Sequence, residues 1–225
     1  MIISYMPLFN TILSNMLNTI FPTNCLSCGK RGSDLCITCI GDFPIAERES
    51  AKWIFPLYDY RHPPIKKTLW LIKYKGKKRL AQILAELMHG KILEELSELS
   101  VMENYNNPIL IPIPLSSKRR RERGYNQTEL ICKELAKIDE NKNFELHTDV
   151  LIKPKDTEHQ ARIKDRRIRL KNIAGSFSIK NKEVMKNRNV ILLDDITTTG
   201  ATLNEARKIL KQNGAKKVIA FTIAH

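Results

Sequence analysis

The chain has 225 residues, 42% hydrophobic and 28% charged, and its 38 Lys+Arg against 24 Asp+Glu give a formal charge of +14. That is too much apolar material for a disordered polypeptide, and the length favours one sizeable domain over two. The positive excess implies polyanionic partners: nucleic acid, phosphorylated small molecules or an anionic membrane face.

The charge is unevenly placed, with a net −1 over residues 1–50, +5 over 51–100, 0 over 101–150 and +10 over 151–225. No charged side chain precedes Lys30, so the first apolar stretch lacks the basic start of a secretory signal. Asn10, Ser14, Asn15 and Asn18 interrupt it, whereas a membrane span needs roughly 20 predominantly apolar residues. Leu8, Phe9, Ile12, Leu13, Met16, Leu17, Ile20 and Phe21 share one face at helical spacing. Residues 1–21 therefore read as an amphipathic helix that docks either on the protein's own core or, peripherally, on a membrane or partner surface.

Cys25, Cys28, Cys36 and Cys39 form C-x2-C-x7-C-x2-C, with Gly29, Gly32 and Gly41 for tight turns. Each C-x2-C hairpin aims two thiolates at one centre, and two hairpins complete the tetrahedral four-sulfur set that zinc prefers. Residues 22–44 then form a small module whose folding free energy comes mostly from the metal, a structural site with no open position for catalysis. Disulfides, which need an oxidising compartment, and an iron–sulfur cluster are the rival uses. Cys132 lies in a helical pattern and reads as a small buried hydrophobe.

Further along, residues 71–79 make a basic, aromatic-containing turn with Lys73, Tyr74 and Lys75. Leu80, Ile83, Leu84, Leu87, Met88, Ile92 and Leu96 then repeat at helical spacing. Ile109–Pro114 reads as a strand stopped by proline, and Asn126 caps a helix with Glu129 at the capping-box position. Between them lie Lys118, Arg119, Arg120, Arg121 and Arg123, the densest charge run in the chain. Such a run is either a solvated loop or a set of contacts to pyrophosphate or a nucleic-acid backbone. A second basic stretch holds Arg162, Arg166 and Arg167, and Tyr74 and Tyr125 sit beside cations where an aromatic can stack a base.

Val190–Leu193 is an apolar run suited to a strand buried on both faces, and it ends in Asp194 and Asp195. Thr197, Thr198, Thr199, Gly200, Ala201 and Thr202 follow as a turn into a helix, whose free N–H groups and dipole favour an anion. Thr202 and Glu205 read as a capping box, and Gly214 ends the helix before the strand from Val218. Two carboxylates beside a phosphate cradle fit a sugar phosphate: the acids take ribose hydroxyls, directly or through Mg2+, while the turn holds the phosphate. No Walker-type Gly-Lys-Ser/Thr is present.

The Asp194-Asp-Ile-Thr-Thr-Thr-Gly-Ala-Thr202 turn resembles the phosphoribosyl pyrophosphate (PRPP) motif of type I phosphoribosyltransferases. With the four cysteines, the Arg123-Gly-Tyr-Asn-Gln127 segment and the stretches around His159-Gln160 and Asn172–Phe177, the chain resembles the ComF family of competence proteins from about residue 20 onward. The resemblance implies an α/β fold over residues 45–225, a mainly parallel sheet flanked by helices, with a hood from about residues 45–75 that includes Ile54–Tyr60 as a strand. It places Pro112, Ile113 and Pro114 in a pyrophosphate loop. It further implies a cytoplasmic protein of DNA uptake that binds PRPP with Mg2+, binds single-stranded DNA and acts with a competence helicase. The alternative it leaves is an active phosphoribosyltransferase, in which a nucleobase or amine attacks the ribose as pyrophosphate leaves.

Overall fold

A computed structural model describes residues 23–47, 51–154 and 173–225. The amphipathic segment 1–21, the stretches around His159-Gln160 and Asn172, and Arg162, Arg166 and Arg167 lie outside the described residues. The chain divides into two compact units, one ending at Phe43 and the other spanning Pro44–His225.

In the first unit, Asn24 and Arg31 pair across a tight turn, and helix α1 (Ile37–Gly41) follows Cys36. Gly29 (φ 77°) and Gly32 (φ 111°) take backbone conformations that a side chain would strain. The buried apolar side chains among its described residues are Cys25, Leu35 and Phe43, too few to hold a fold by themselves.

The second unit is built on a five-stranded parallel sheet, in the order β1 (Ile54–Tyr58), β7 (Lys217–Ala224), β6 (Asn189–Ile196), β2 (Ile109–Pro112), β3 (Glu145–Leu146). Strands buried on both faces need continuous apolar runs, and Val190–Leu193 and Val218–Ala224 supply them. On one face Val190, Leu192, Val218, Ala220, Ile109 and Ile111 pack with Leu203, Ala206 and Leu210 of helix α7 (Ala201–Gln212). Alternate residues such as Ile191, Leu193, Ile219 and Phe221 are also buried and point the other way. Helices α3 (Lys78–Glu103) and α5 (Gln127–Ile138) pack on each other and on β7, β2 and β6. Helix α3 buries Leu80, Leu84, Met88, Ile92 and Leu96, the stripe expected from their spacing. Cys132 is fully buried in α5, where desolvation holds its thiol well above its usual range. A two-stranded antiparallel ribbon, β4 (Leu151–Ile152) with β5 (Ser178–Ile179), completes the strands, and α6 (Lys182–Met185) leads into β6.

Three expectations change. Ile54–Tyr58 is no hood strand: it pairs in parallel with β7 at the sheet edge, where Phe55 stacks on Phe221 with centroids 5.1 Å apart. An edge strand tolerates Pro56, which has no N–H to give a second neighbour. Leu71–Lys75 is not a turn but the end of helix α2 (Pro63–Lys75), whose stop is Gly76 at φ 59°. Lys118–Arg123 is likewise not a loop, because it forms helix α4 (Ser117–Arg123).

Tyr105, fully buried after α3, donates its hydroxyl to the Val190 carbonyl at 2.5 Å. Tyr105→Phe leaves that buried carbonyl short of a donor, so stability should fall by about 1–3 kcal/mol. The melting temperature should drop by about 2–4 °C for each kcal/mol in a chain of this size. An unchanged melting temperature would show that this bond contributes nothing net.

Candidate functional site

The chain leaves β2 toward β3 on one side and leaves β6 toward β7 on the other, so the strand order reverses between β2 and β6. Open α/β sheets hold ligands at such a reversal, beyond the carboxyl ends of the strands. A cavity of about 250 Å³ lies there, with walls from the segment after β2 (Ile113–Ser116) and the segment Asp194–Leu203. Lys73, Arg119, Arg123 and Lys153 bring positive charge to it, and Tyr60 and Gln127 complete the wall.

Asp194 and Asp195 lie within the carboxyl-terminal end of β6, where Asp194 pairs with Thr222 of β7. Asp195 is buried, and its Oδ2 accepts from Gln127 Nε2 at 3.0 Å while Oδ1 accepts from Ile196 N at 2.9 Å. Gln127 Oε1 in turn accepts from the Arg123 guanidinium. Asp194 Oδ1 accepts from Asp195 N at 2.9 Å. Burial first, and then the adjacent Asp195 charge, hold the Asp194 carboxyl well above its usual range, with Lys73 pulling weakly the other way. The site thus holds two acids in close quarters until a cation or a hydroxyl-bearing ligand offsets them.

The turn is fixed by one backbone bond and one to a side chain: Thr197 N donates to Ala224 O at 2.9 Å, and Ala201 N to Thr199 Oγ1 at 3.4 Å. Gly200 is the N-cap of α7 at φ 69°, and a Cβ there would come within 3.2 Å of Asn204 Nδ2. The expected capping box is therefore corrected. Gly200 takes the cap with no side-chain bond, and Glu205 reaches out instead to accept from Gly175 N at 2.7 Å. Asn126 does cap α5 by accepting from Thr128 N at 3.1 Å, but Glu129 pairs with Lys133 and Arg120 rather than closing a box.

Of the residues singled out from sequence, the cavity brings together Asp194, Asp195, Thr197, Thr198, Thr199, Gly200, Ala201, Thr202, Ile113, Pro114, Lys73, Arg119 and Arg123. Pro112, Tyr74, Lys75, Lys118, Arg120 and Arg121 are not in its wall. Helix geometry explains the split among the cations. Arg119 and Arg123 are four residues apart and share a face of α4, whereas Arg120 lies 3.3 Å from Glu129. The sequence reading missed Tyr60, Ser116, Gln127 and Lys153. Gln127 had a signal, its place in the Arg-Gly-Tyr-Asn-Gln segment; Lys153 had none.

In the amino-terminal unit, the Sγ atoms of Cys25, Cys28, Cys36 and Cys39 all lie within 4.8 Å of one another, with Cys28 and Cys36 at 3.7 Å. Burial raises the Cys25 thiol, but backbone donors of Cys28, Cys36 and Ser27 outweigh it and bring it down to about 6. Ser27 pulls Cys39 down, yet the neighbouring Cys36 and Cys28 thiols push it up to about 12. Four sulfurs this close cannot all ionise alone, and a divalent cation removes that conflict. The donor set fits zinc.

Residues 125–225 match the phosphoribosyl transferase domain family. Competence protein F of Haemophilus influenzae is 36% identical over 117 residues, 51% of this chain and 49% of that one. Competence protein ComFC of Bacillus subtilis is 32% identical over 160 residues, covering 71% and 59%. This chain is similar in sequence to the ComF competence proteins. The DNA utilization protein YhgH of Escherichia coli stands further off, at 24% identity over 69% of this chain and 65% of its own length. The chain thus spans about half to two thirds of the length of these curated proteins. A hypoxanthine phosphoribosyltransferase from Trypanosoma cruzi overlays at a TM-score of 0.39 with 13% identity, over 64% of this chain and 63% of its own. The fold assignment rests instead on the parallel sheet flanked by helices and on the matched domain. No helix among the described residues is long and apolar enough to cross a membrane.

Proposed function

We propose that this ComF relative binds PRPP, or a closely related ribose phosphate, together with Mg2+ in the cavity at the ends of β2 and β6. We place it in the cytoplasmic handling of single-stranded DNA during natural transformation, alongside a competence helicase. The observation that carries the reading is the convergence on one cavity of the Asp194–Asp195 pair, the turn into α7 and the cations Lys73, Arg119 and Arg123. The turn and the start of α7 suit the 5-phosphate and the acids suit ribose hydroxyls. Mg2+ is held through one or two carboxylates plus phosphate oxygens, a role the Asp194–Asp195 pair fits, and it would neutralise the pyrophosphate. The names of the relatives support the DNA context.

A second reading, transfer of the phosphoribosyl group to a nucleobase or amine, is favoured by the same cations, which face the place where departing pyrophosphate would accumulate charge. Calorimetric titration of PRPP with and without Mg2+ should show one site per chain that weakens when Mg2+ is omitted. No binding in either condition would sink the proposal. Pyrophosphate release, assayed over purines, pyrimidines and amines, separates the readings: turnover with any acceptor makes the protein an enzyme.

A further inference from the structure

Trp70 and Tyr74, one helical turn apart on α2, are 49% and 52% exposed, with ring centroids 5.7 Å apart. Cations attend each ring: Lys75 Nζ stands 5.9 Å from the Trp70 centroid, and Lys73 Nζ and the Arg123 guanidinium stand 6.0 and 5.5 Å from that of Tyr74. The segment 63–79 carries Lys66, Lys67, Lys73, Lys75, Lys77, Lys78 and Arg79 and no acid. Tyr125 fixes the end of α2, donating its hydroxyl to Ile72 O and accepting from Gly76 N at 2.9 Å. Lys73 and Arg123 also line the cavity, and Arg123 is held there through Gln127, itself bonded to Asp195.

We propose that Trp70 and Tyr74 form a stacking step for unpaired bases of a single-stranded nucleic acid whose phosphate is taken by Lys73 and Arg123, so that strand binding competes with an anion in the cavity. The competition rests on the anion site proposed above; the stacking step does not. Exposed rings framed by cations, on a segment without acids, match a single strand, which offers both a π-face and a phosphate at every nucleotide. A duplex keeps its bases stacked on each other and has none to give the rings. Because Arg123 sits against Tyr74 and in the cavity wall at once, a pyrophosphate-like ligand that draws it and Lys73 inward removes charge from the strand.

The test is anisotropy of a labelled oligothymidylate with the full chain, at constant ionic strength. Trp70→Ala and Tyr74→Ala should each weaken binding by about 5- to 150-fold, and Trp70→Phe should keep most of it. The oligonucleotide should quench Trp70 emission. Inorganic pyrophosphate should raise the apparent Kd of the oligonucleotide where chloride at equal ionic strength does not. Wild-type affinity in both alanine variants overturns the stacking step, as does a wild-type chain that binds duplex as tightly as single strand. An apparent Kd indifferent to saturating pyrophosphate overturns the competition. If PRPP fails to bind while the alanine variants still lose the oligonucleotide, the cavity reading falls and the stacking step stands. If PRPP binds and the alanine variants keep the strand, the reverse holds.

Discussion

Asp194→Asn should make the ligand-free protein more stable and the proposed ribose-phosphate site weaker. In the folded chain, burial and the neighbouring Asp195 charge raise the Asp194 carboxyl, so the fold favours its protonated form. A carboxyl raised on folding contributes stability that is full below its unfolded pKa of about 3.9 and declines as pH climbs from there toward the folded value. As pH climbs that contribution is lost, and charging both acids becomes a cost which a bound cation or ligand offsets. Asparagine keeps the Oδ1 that accepts from Asp195 N at 2.9 Å and removes the charge. Replacing a strained functional group in this way commonly yields about 0.5–2 kcal/mol. The variant should melt a few degrees higher at pH 7 and show a flatter stability profile above pH 4, while its affinity for PRPP with Mg2+ falls more than tenfold. A variant that melts lower at pH 7 would mean that the pair is already neutralised in the free protein.

Removing the metal should unfold the amino-terminal unit and leave the second unit standing. Among its described residues the first unit buries Cys25, Leu35 and Phe43, whereas structural zinc contributes about 10–16 kcal/mol in small zinc-dependent modules. The purified protein should contain about one zinc per chain. Chelation, or Cys28→Ser with Cys39→Ser, should open residues 23–43 to protease. The melting transition of Pro44–His225, which has its own sheet and core, should persist. Acid should act in the same direction, because protons compete with the metal for thiolates. A chelated protein with an intact, protease-resistant first unit would refute the metal's structural role.

The parts legible in the sequence were those encoded locally. An apolar run closing on two acids and a Thr-Gly turn is contiguous, so β6, its turn and α7 could be read without tertiary knowledge. The α3 stripe and the Asn126 cap are local for the same reason. Helix α4 carried local signals that its charge obscured. Ser116 accepts from Arg119 N and Gly124 closes the far end at φ 82°, and these caps hold a helix that like charges along its length would otherwise weaken. The capping box at Thr202 failed on backbone geometry: a left-handed glycine at 200 starts the helix two residues earlier than the hydroxyl pattern implied. The place of β1 in the main sheet and the cavity positions of Tyr60 and Lys153 were invisible for a different reason. Their neighbours are supplied by segments distant in the chain, and no local pattern encodes such meetings.

The register of β1 against β7 also constrains how the second unit comes into being. Ile54 and Phe55 find their strand partners at Ala220 and Phe221, and β7 is the strand that joins β1 to β6. A nascent chain therefore has to hold its early edge strand unpaired until the residues near 220 have left the ribosome. Pairings of such sequence separation are slow to form. Apolar surface on Ile54, Phe55 and Leu57 stays open through that interval, which makes growth at low temperature or the presence of a holdase chaperone the setting in which soluble yield should improve.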